Sequence, residues 1–364
     1  MNNKNLMTSM RNVSSYNFET NIGHKCNMRC KFCFEQESGY PSISATSEML
    51  SWFADYMLYM KNKTKCSVST TIFGGEPFVH IDTLVPYIEK LSSFVKGAVI
   101  VTNGLQVSKY ADEILYMKKL IPSLEVSVSY NFSLQDETRQ EGTYEKVRDS
   151  IRWLCSKGFY VNSPVVFTPS NIHRIGEVFD DFMKLRKETN GRNRATYNYF
   201  KDDMPYSVVK EDILREELKR IQQAFYNEGI EKFHFQFRYS MIGVERGDHR
   251  RDCLFAAVPA ALSPDGNIYP GYDVCHDNEF IRNLLRLGKV GDDFEAIDKK
   301  RFELVRTLSV EPPKQCRSCP SQCRVIPWRT MVDDASQFNG MPHPERCKVV
   351  NIIGEYLPVS GVLK

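Results

Sequence analysis

Strand-like and helix-like stretches alternate about six times between residues 15 and 227, and nothing else in the chain restricts its fold so strongly. Residues 16–23 alternate as a strand does. Residues 47–59 place Met49, Leu50, Phe53, Met57 and Leu58 at helical spacing, with Ser47 as the expected cap. The β-rich run 66–73 stops at Gly74-Gly75-Glu76-Pro77. After it, strand-like 98–102, 124–130, 160–167 and 194–200 separate helix-like 81–94, 107–120, 137–156, 171–187 and 211–227. Such alternation predicts an α/β fold with a parallel sheet covered by helices. Polar and glycine-rich punctuation falls repeatedly at strand C-terminal ends, where barrel enzymes build their sites. A partial (β/α)6 TIM-like barrel therefore explains the pattern better than an open sheet.

From about residue 236 the pattern changes. Gly, Pro and Cys become frequent, helical spacing persists only over 280–287 and 294–308, and 262–269 reads as a hairpin around Asp265-Gly266. A stretch with so little periodic apolar sequence needs metal to hold it together. The expected organisation is a barrel over 1–235 and a small Cys-rich auxiliary domain over 236–364. Hydrophobic content of 42%, charged content of 26% and a net charge of +3 are ordinary for a soluble protein and give no reason to expect nucleic acid or a membrane surface as partner. No apolar run approaches the ~20 residues of a membrane span, and the polar opening lacks a signal-peptide core, so the expected location is cytoplasmic.

The 11 cysteines are clustered. Cys26, Cys30 and Cys33 share one short loop; Cys253, Cys275, Cys316, Cys319, Cys323 and Cys347 lie in the last third; Cys66 and Cys155 stand apart and read as small core residues. In a reducing compartment such clusters are more often metal ligands than disulfides. Three thiolates on a wrapped loop suit iron or zinc. On a four-metal cube they leave one metal without a protein ligand, whereas tetrahedral zinc wants a fourth ligand, which His24 could supply. Against zinc, His24 precedes the loop by only two residues, and Phe32 and Phe34 flank Cys33 as if covering something flat and apolar.

The spacing Cys26-x3-Cys30-x2-Cys33, with Phe32 before the third Cys and a later strand ending in Gly74-Gly75-Glu76-Pro77, resembles the radical S-adenosylmethionine (SAM) superfamily, whose partial barrel has this order of elements. The resemblance implies a [4Fe-4S] cluster on Cys26, Cys30 and Cys33 whose open iron chelates the amino and carboxylate groups of SAM. It places the Gly74 and Gly75 backbone and the Glu76 carboxylate against the SAM ammonium, with Pro77 and Phe32 in the same cofactor site. Thr102 and Asn103 at the third strand end, Ser129 at the fourth, and 168–171 including Asn171 at the fifth would touch the rest of SAM. Polar residues at strand ends are also ordinary caps and turn formers, and Asn171 reads equally as the N-cap of its helix. The implied reaction is reductive cleavage of SAM to methionine and a 5′-deoxyadenosyl radical that takes a hydrogen atom from substrate, with an electron donor such as flavodoxin or ferredoxin. No catalytic side chain is assigned.

The C-terminal set, Cys253, the hairpin around Gly266, Cys316-x-x-Cys319 and Cys347, resembles SPASM/twitch extensions that hold auxiliary iron–sulfur clusters. It departs from the full pattern. Gly271 stands where a Cys would follow the hairpin glycine, and Cys323 comes early with no thiol again until Cys347. Six thiols cannot give four ligands to each of two clusters. Cys316, Cys319, Cys323 and Cys347 make one complete set, leaving Cys253 and Cys275 as remnants or half a second site; a single twitch-like cluster on Cys253, Cys275, Cys316 and Cys319, or a zinc knuckle, is the alternative. An auxiliary cluster suits a net two-electron oxidation. In the SPASM family that points to a peptide or protein substrate, foremost side-chain cross-linking of a ribosomally made precursor. The alternatives are a formylglycine-type or small-molecule radical dehydrogenase and a non-catalytic iron–sulfur or zinc protein. With only about sixteen residues before the first strand, a leader peptide is expected to be recognised by a separate protein, on the barrel rim or on the auxiliary domain. Arg246–Arg251 is a candidate dock for an acidic peptide and Tyr197, Tyr199 and Tyr239 are candidate pocket residues, though a solvated charged surface and core aromatics are equally ordinary readings.

Overall fold

Strand β1 (Ser15–Asn21) turns Tyr16, Phe18 and Thr20 to the interior and opens the computed structural model, which describes residues 14–33, 42–199, 208–227, 235–237, 259–271, 279–308, 348–349, 352–353 and 355–356. The chain folds as two compact units. The first takes residues 1–29, 33–127 and 252–309, and the second takes 30–32, 128–251 and 310–364.

In the first unit β1 is followed by α1 (Ser47–Thr64), β2 (Ser67–Phe73), a 3₁₀ turn (Pro77–His80), α2 (Ile81–Ser92), β3 (Gly97–Thr102), α3 (Ala111–Leu120) and β4 (Glu125–Val128), whose last residue opens the second unit. β1 pairs in parallel with β2, Phe18 opposite Thr70, and β2 in parallel with β3, Thr70 opposite Ala98. The later strands β8 (Ala261–Leu262) and β9 (Asn267–Tyr269) form the expected hairpin, with Gly266 at φ 82°, and β8 adds in parallel to the free side of β1. β10 (Gly288–Lys289) closes this edge, giving the order β10-β9-β8-β1-β2-β3-β4 within the unit. Helix α1 buries Leu50, Phe53, Ala54, Met57 and Met60, and Phe53 and Tyr56 meet Phe18 edge-on at 5.9 and 6.0 Å. Its cap is Thr46, whose hydroxyl accepts the Met49 N–H at 3.3 Å, so Ser47 is the first helical residue and not the cap.

The second unit alternates in the same way. Short α4 (Gln135–Thr138) and α5 (Tyr144–Ser156) lead to β5 (Val161–Phe167), α6 (Ile175–Glu188), β6 (Asn193–Tyr199), α7 (Glu211–Asn227) and β7 (Phe235–Phe237), with β5, β6 and β7 parallel. The single helix expected over 137–156 is broken at Arg139–Thr143, because Gln140, Glu141 and Gly142 offer no apolar face to bury. Cys155 is a buried residue of α5, as expected, and burial pushes its thiol up to about 11. Arg148 of α5 holds Asp181 of α6 at 2.6 Å with both side chains buried, and the Tyr144 hydroxyl donates to the same carboxylate oxygen. This is the α/β class with a mostly parallel sheet. Among the described residues no helix is long and apolar enough to cross a membrane.

Candidate functional site

The C-terminal ends of β1, β2 and β3 lie side by side, and each delivers one part of the site. Past β1, the Asn21 side chain accepts the Gly23 N–H at 3.0 Å and turns the chain toward Cys26. Past β2, the Gly75 N–H donates to Gly23 O at 2.7 Å and the Glu76 N–H to Lys25 O at 2.9 Å, so the glycine-rich loop is laid directly along the start of the cysteine loop. A Cβ on Gly74, which sits at φ 147°, would stand 2.4 Å from Gly23 O, and one on Gly75 would stand 2.4 Å from His24 O. The two glycines are required by this backbone-on-backbone approach, whatever ligand lies beyond it.

Glu76 is fully buried, and both its oxygens are occupied within the protein. Oε1 accepts from the Thr102 hydroxyl at 2.7 Å and the Phe78 N–H at 3.1 Å; Oε2 accepts the Asn103 N–H at 2.6 Å. Burial pushes its carboxyl up to about 7, against the pull of these three donors. Its visible work is to tie the loop after β2 to the end of β3, with Pro77 buried at the first position of the following turn. Asn103 completes the arrangement. Its side-chain Nδ2 donates to Asn27 Oδ1 at 2.7 Å and reaches Cys26 Sγ at 3.6 Å, while its Oδ1 accepts the Leu105 N–H.

The second unit places Cys30 and Phe32 beside a buried polar group that the sequence did not announce. Arg139, buried at the end of α4, sets Nη1 3.6 Å from Cys30 Sγ and its guanidinium 4.9 Å over the Phe32 ring. Its Nε donates to Asn131 Oδ1 at 3.3 Å, and Lys31 N donates to Thr138 O at 3.1 Å. Asn131 in turn accepts the Val166 N–H and donates to Val166 O and to the Thr138 hydroxyl. The helix expected over 137–156 takes in 137–143, and the density of polar residues over 131–143 was the signal that could have set that stretch apart.

The remaining expected residues are dispersed. Ser129 is half-buried just past β4. Asn171 sits at the N-cap position of a short 3₁₀ turn, but its side chain turns back to accept the Thr168 N–H at 2.9 Å and makes no cap bond. Cys33 is half-buried in the first unit, whereas Phe34, Tyr239, Arg246–Arg251, Cys253, Cys275, Cys316, Cys319, Cys323 and Cys347 lie outside the described residues, as do the side chains of Tyr197 and Tyr199.

None of the described cysteines is in a disulfide. Among the described residues no three His, Cys, Asp or Glu side chains are drawn together as ligands of one ion. The donor chemistry, three thiols on one short loop, fits an iron–sulfur cluster. Both Cys26 and Cys30 also have an N–H directed at sulfur, the contact that stabilises thiolate ligands.

No curated protein matches the chain. Among solved structures it is similar to anSMEcpe with bound AdoMet, at TM-score 0.66 and 18% identity over 94% of this chain and 96% of that one; the same enzyme is also known with AdoMet and a Kp18Cys peptide. It is similar to Streptococcus suis SuiB bound to precursor peptide SuiA, at TM-score 0.61 and 15% identity over 89% of this chain and 74% of that one. Residues 20–182, which run from the end of β1 into α6 and contain the cysteine loop, the glycine-rich loop and the Asn103 bridge, match the model of the Radical SAM superfamily. The match spans 163 of the 364 residues, a little under half of the chain.

Proposed function

We propose that this protein is a radical SAM enzyme that oxidatively modifies a peptide, most simply by joining side chains of a ribosomally made precursor. The observation that carries the reading is the packing of the Gly74–Glu76 loop against the residues leading to Cys26, with Asn103 bridging from β3 to the Cys26 sulfur. Cys26, Cys30 and Cys33 would hold the cluster, and Gly74, Gly75 and Asn103 would form the wall against which SAM is oriented. When bound, the cluster and SAM supply one-electron cleavage and hydrogen-atom abstraction; the protein's part is to orient, to exclude water and to hold charge. Buried Glu76 keeps the wall in register, and the Phe32 ring and the Arg139 guanidinium cover the loop at Cys30.

A peptide substrate is supported by the fold shared with anSMEcpe and SuiB, each known with a peptide bound. The auxiliary domain over 236–364, at least one further cluster on Cys316, Cys319, Cys323 and Cys347 with Cys253 and Cys275 beside it, an external electron donor and a separate leader-recognition protein belong to the same proposal. Anaerobic reconstitution with iron and sulfide, then dithionite and SAM, is expected to release 5′-deoxyadenosine; no release beyond a Cys30→Ala control would end the radical reading. A candidate peptide should then lose two hydrogens without gaining an aldehyde. Labelling of the product by a hydrazide would favour formylglycine-type oxidation instead.

A further inference from the structure

We propose that Arg139 is a positioning residue that raises the reduction potential of the cluster held by the cysteine loop, acting through the Cys30 sulfur. The inference rests on the reading that Cys26, Cys30 and Cys33 bind a cluster, and it adds a residue outside every motif of that reading.

The geometry is specific. Arg139 Nη1 lies 3.6 Å from Cys30 Sγ, a normal separation for N–H···S contact. The guanidinium is fixed on two further sides: its Cζ lies 4.9 Å from the centroid of the Phe32 ring, and Asn131 Oδ1 accepts from Nε at 3.3 Å. Asn131 is fully buried and is itself bonded to both backbone groups of Val166 in β5, so the arginine is aimed from a strand and not from a floppy loop. The backbone spends strain at this corner, since the next residue, Phe132, is held at φ 50° with its ring fully buried against Tyr130 and Phe182. Arg139 itself is only 7% exposed, so its charge is poorly screened by water.

A fixed positive charge and an N–H donor at a ligating sulfur favour whichever cluster state carries more negative charge. One electron from an external low-potential reductant adds one negative charge to the cluster and its thiolates, with no proton or bond exchanged. That charge is shared with the sulfurs, so the Arg139 contact strengthens on reduction and the potential rises. Because the arginine also caps the Cys30 turn through Phe32, a purely structural role has to be separated from tuning.

The test uses the full chain, reconstituted anaerobically without SAM and titrated with dithionite while the reduced cluster is followed by electron paramagnetic resonance. Arg139→Gln, which keeps N–H donors but loses the charge, is expected to lower the reduced fraction at a fixed potential about tenfold, equivalent to about 59 mV for a one-electron couple. Arg139→Met should shift it further and Arg139→Lys least. Iron content is measured on every sample. If the wild-type chain holds no cluster, the functional reading falls and this inference with it. If the variants hold a full cluster at the wild-type potential, the inference alone falls, including the case in which only their affinity for SAM drops. Loss of the cluster from all three variants also overturns it, because a tuning contact is not needed for assembly.

Discussion

Glu76 is the residue whose neighbourhood most changed its meaning. The Gly-Gly-Glu-Pro run suggested a carboxylate facing an ammonium, and the structure adds three internal donors, from Thr102, Asn103 and Phe78, that bind its oxygens first. Its folded pKa of about 7 lies above the ordinary 4.5, so between these values the folded state holds a proton that the unfolded state has lost. Its contribution to stability is therefore complete below about pH 4.5 and is lost as pH rises toward 7. Glu76→Gln should remove that slope from a pH series of urea unfolding curves. Near pH 5, where the buried carboxyl already carries a proton, the glutamine amide replaces an acid O–H donor and stability should differ by about 1 kcal/mol or less. A variant that kept the wild-type slope would show that another group carries it. The cysteine loop stood out at this scale because residue type and short spacing are read directly from the chain. Asn131 and Arg139 did not, because their roles exist only once residues far apart in the chain are brought into contact.

At the scale of the element, helix termini and buried pairs make sharper predictions than helix interiors do. α1 ends at Lys65, an exposed residue in the left-handed region at φ 61° whose N–H caps Lys61 O. Glycine adopts that conformation without the Cβ penalty, so Lys65→Gly should stabilise the protein by about 0.5–1 kcal/mol in chemical unfolding. The α5–α6 contact behaves in the opposite way. Arg148→Met leaves the Asp181 carboxylate buried without its counter-charge and should cost about 3–5 kcal/mol, whereas the double change Arg148→Met, Asp181→Leu should recover most of that loss. Equal losses in the single and double variants would show that packing, not charge, sets the cost. Most elements were visible as apolar spacing. The break at Arg139–Thr143 was not, because the helix-like spacing on its two sides hides a short polar turn whose bonds run to Cys30, Asn131 and Asp136.

For the whole molecule, the alternation of strands and helices was enough to specify an α/β fold with parallel strands, and a fold shared with anSMEcpe over 94% of the chain agrees with it. Iron content tests the functional reading at this scale. Replacing Cys26, Cys30 and Cys33 together by Ala should remove about four irons per reconstituted chain, with any remainder reporting the C-terminal thiols. Loss of all iron would mean that those six cysteines hold no cluster of their own. The sequence by itself determined the strand–helix order, the thiol trio and the glycine pair, because each follows from local chemistry: side-chain periodicity, ligand type and backbone freedom. Only the tertiary structure decided that the glycines serve a backbone contact with the cysteine loop, that Glu76 bonds inward, and that Asn103 and Arg139 face the sulfurs. Those are contacts between residues tens of positions apart, and a linear pattern carries no record of which distant donor finds which acceptor.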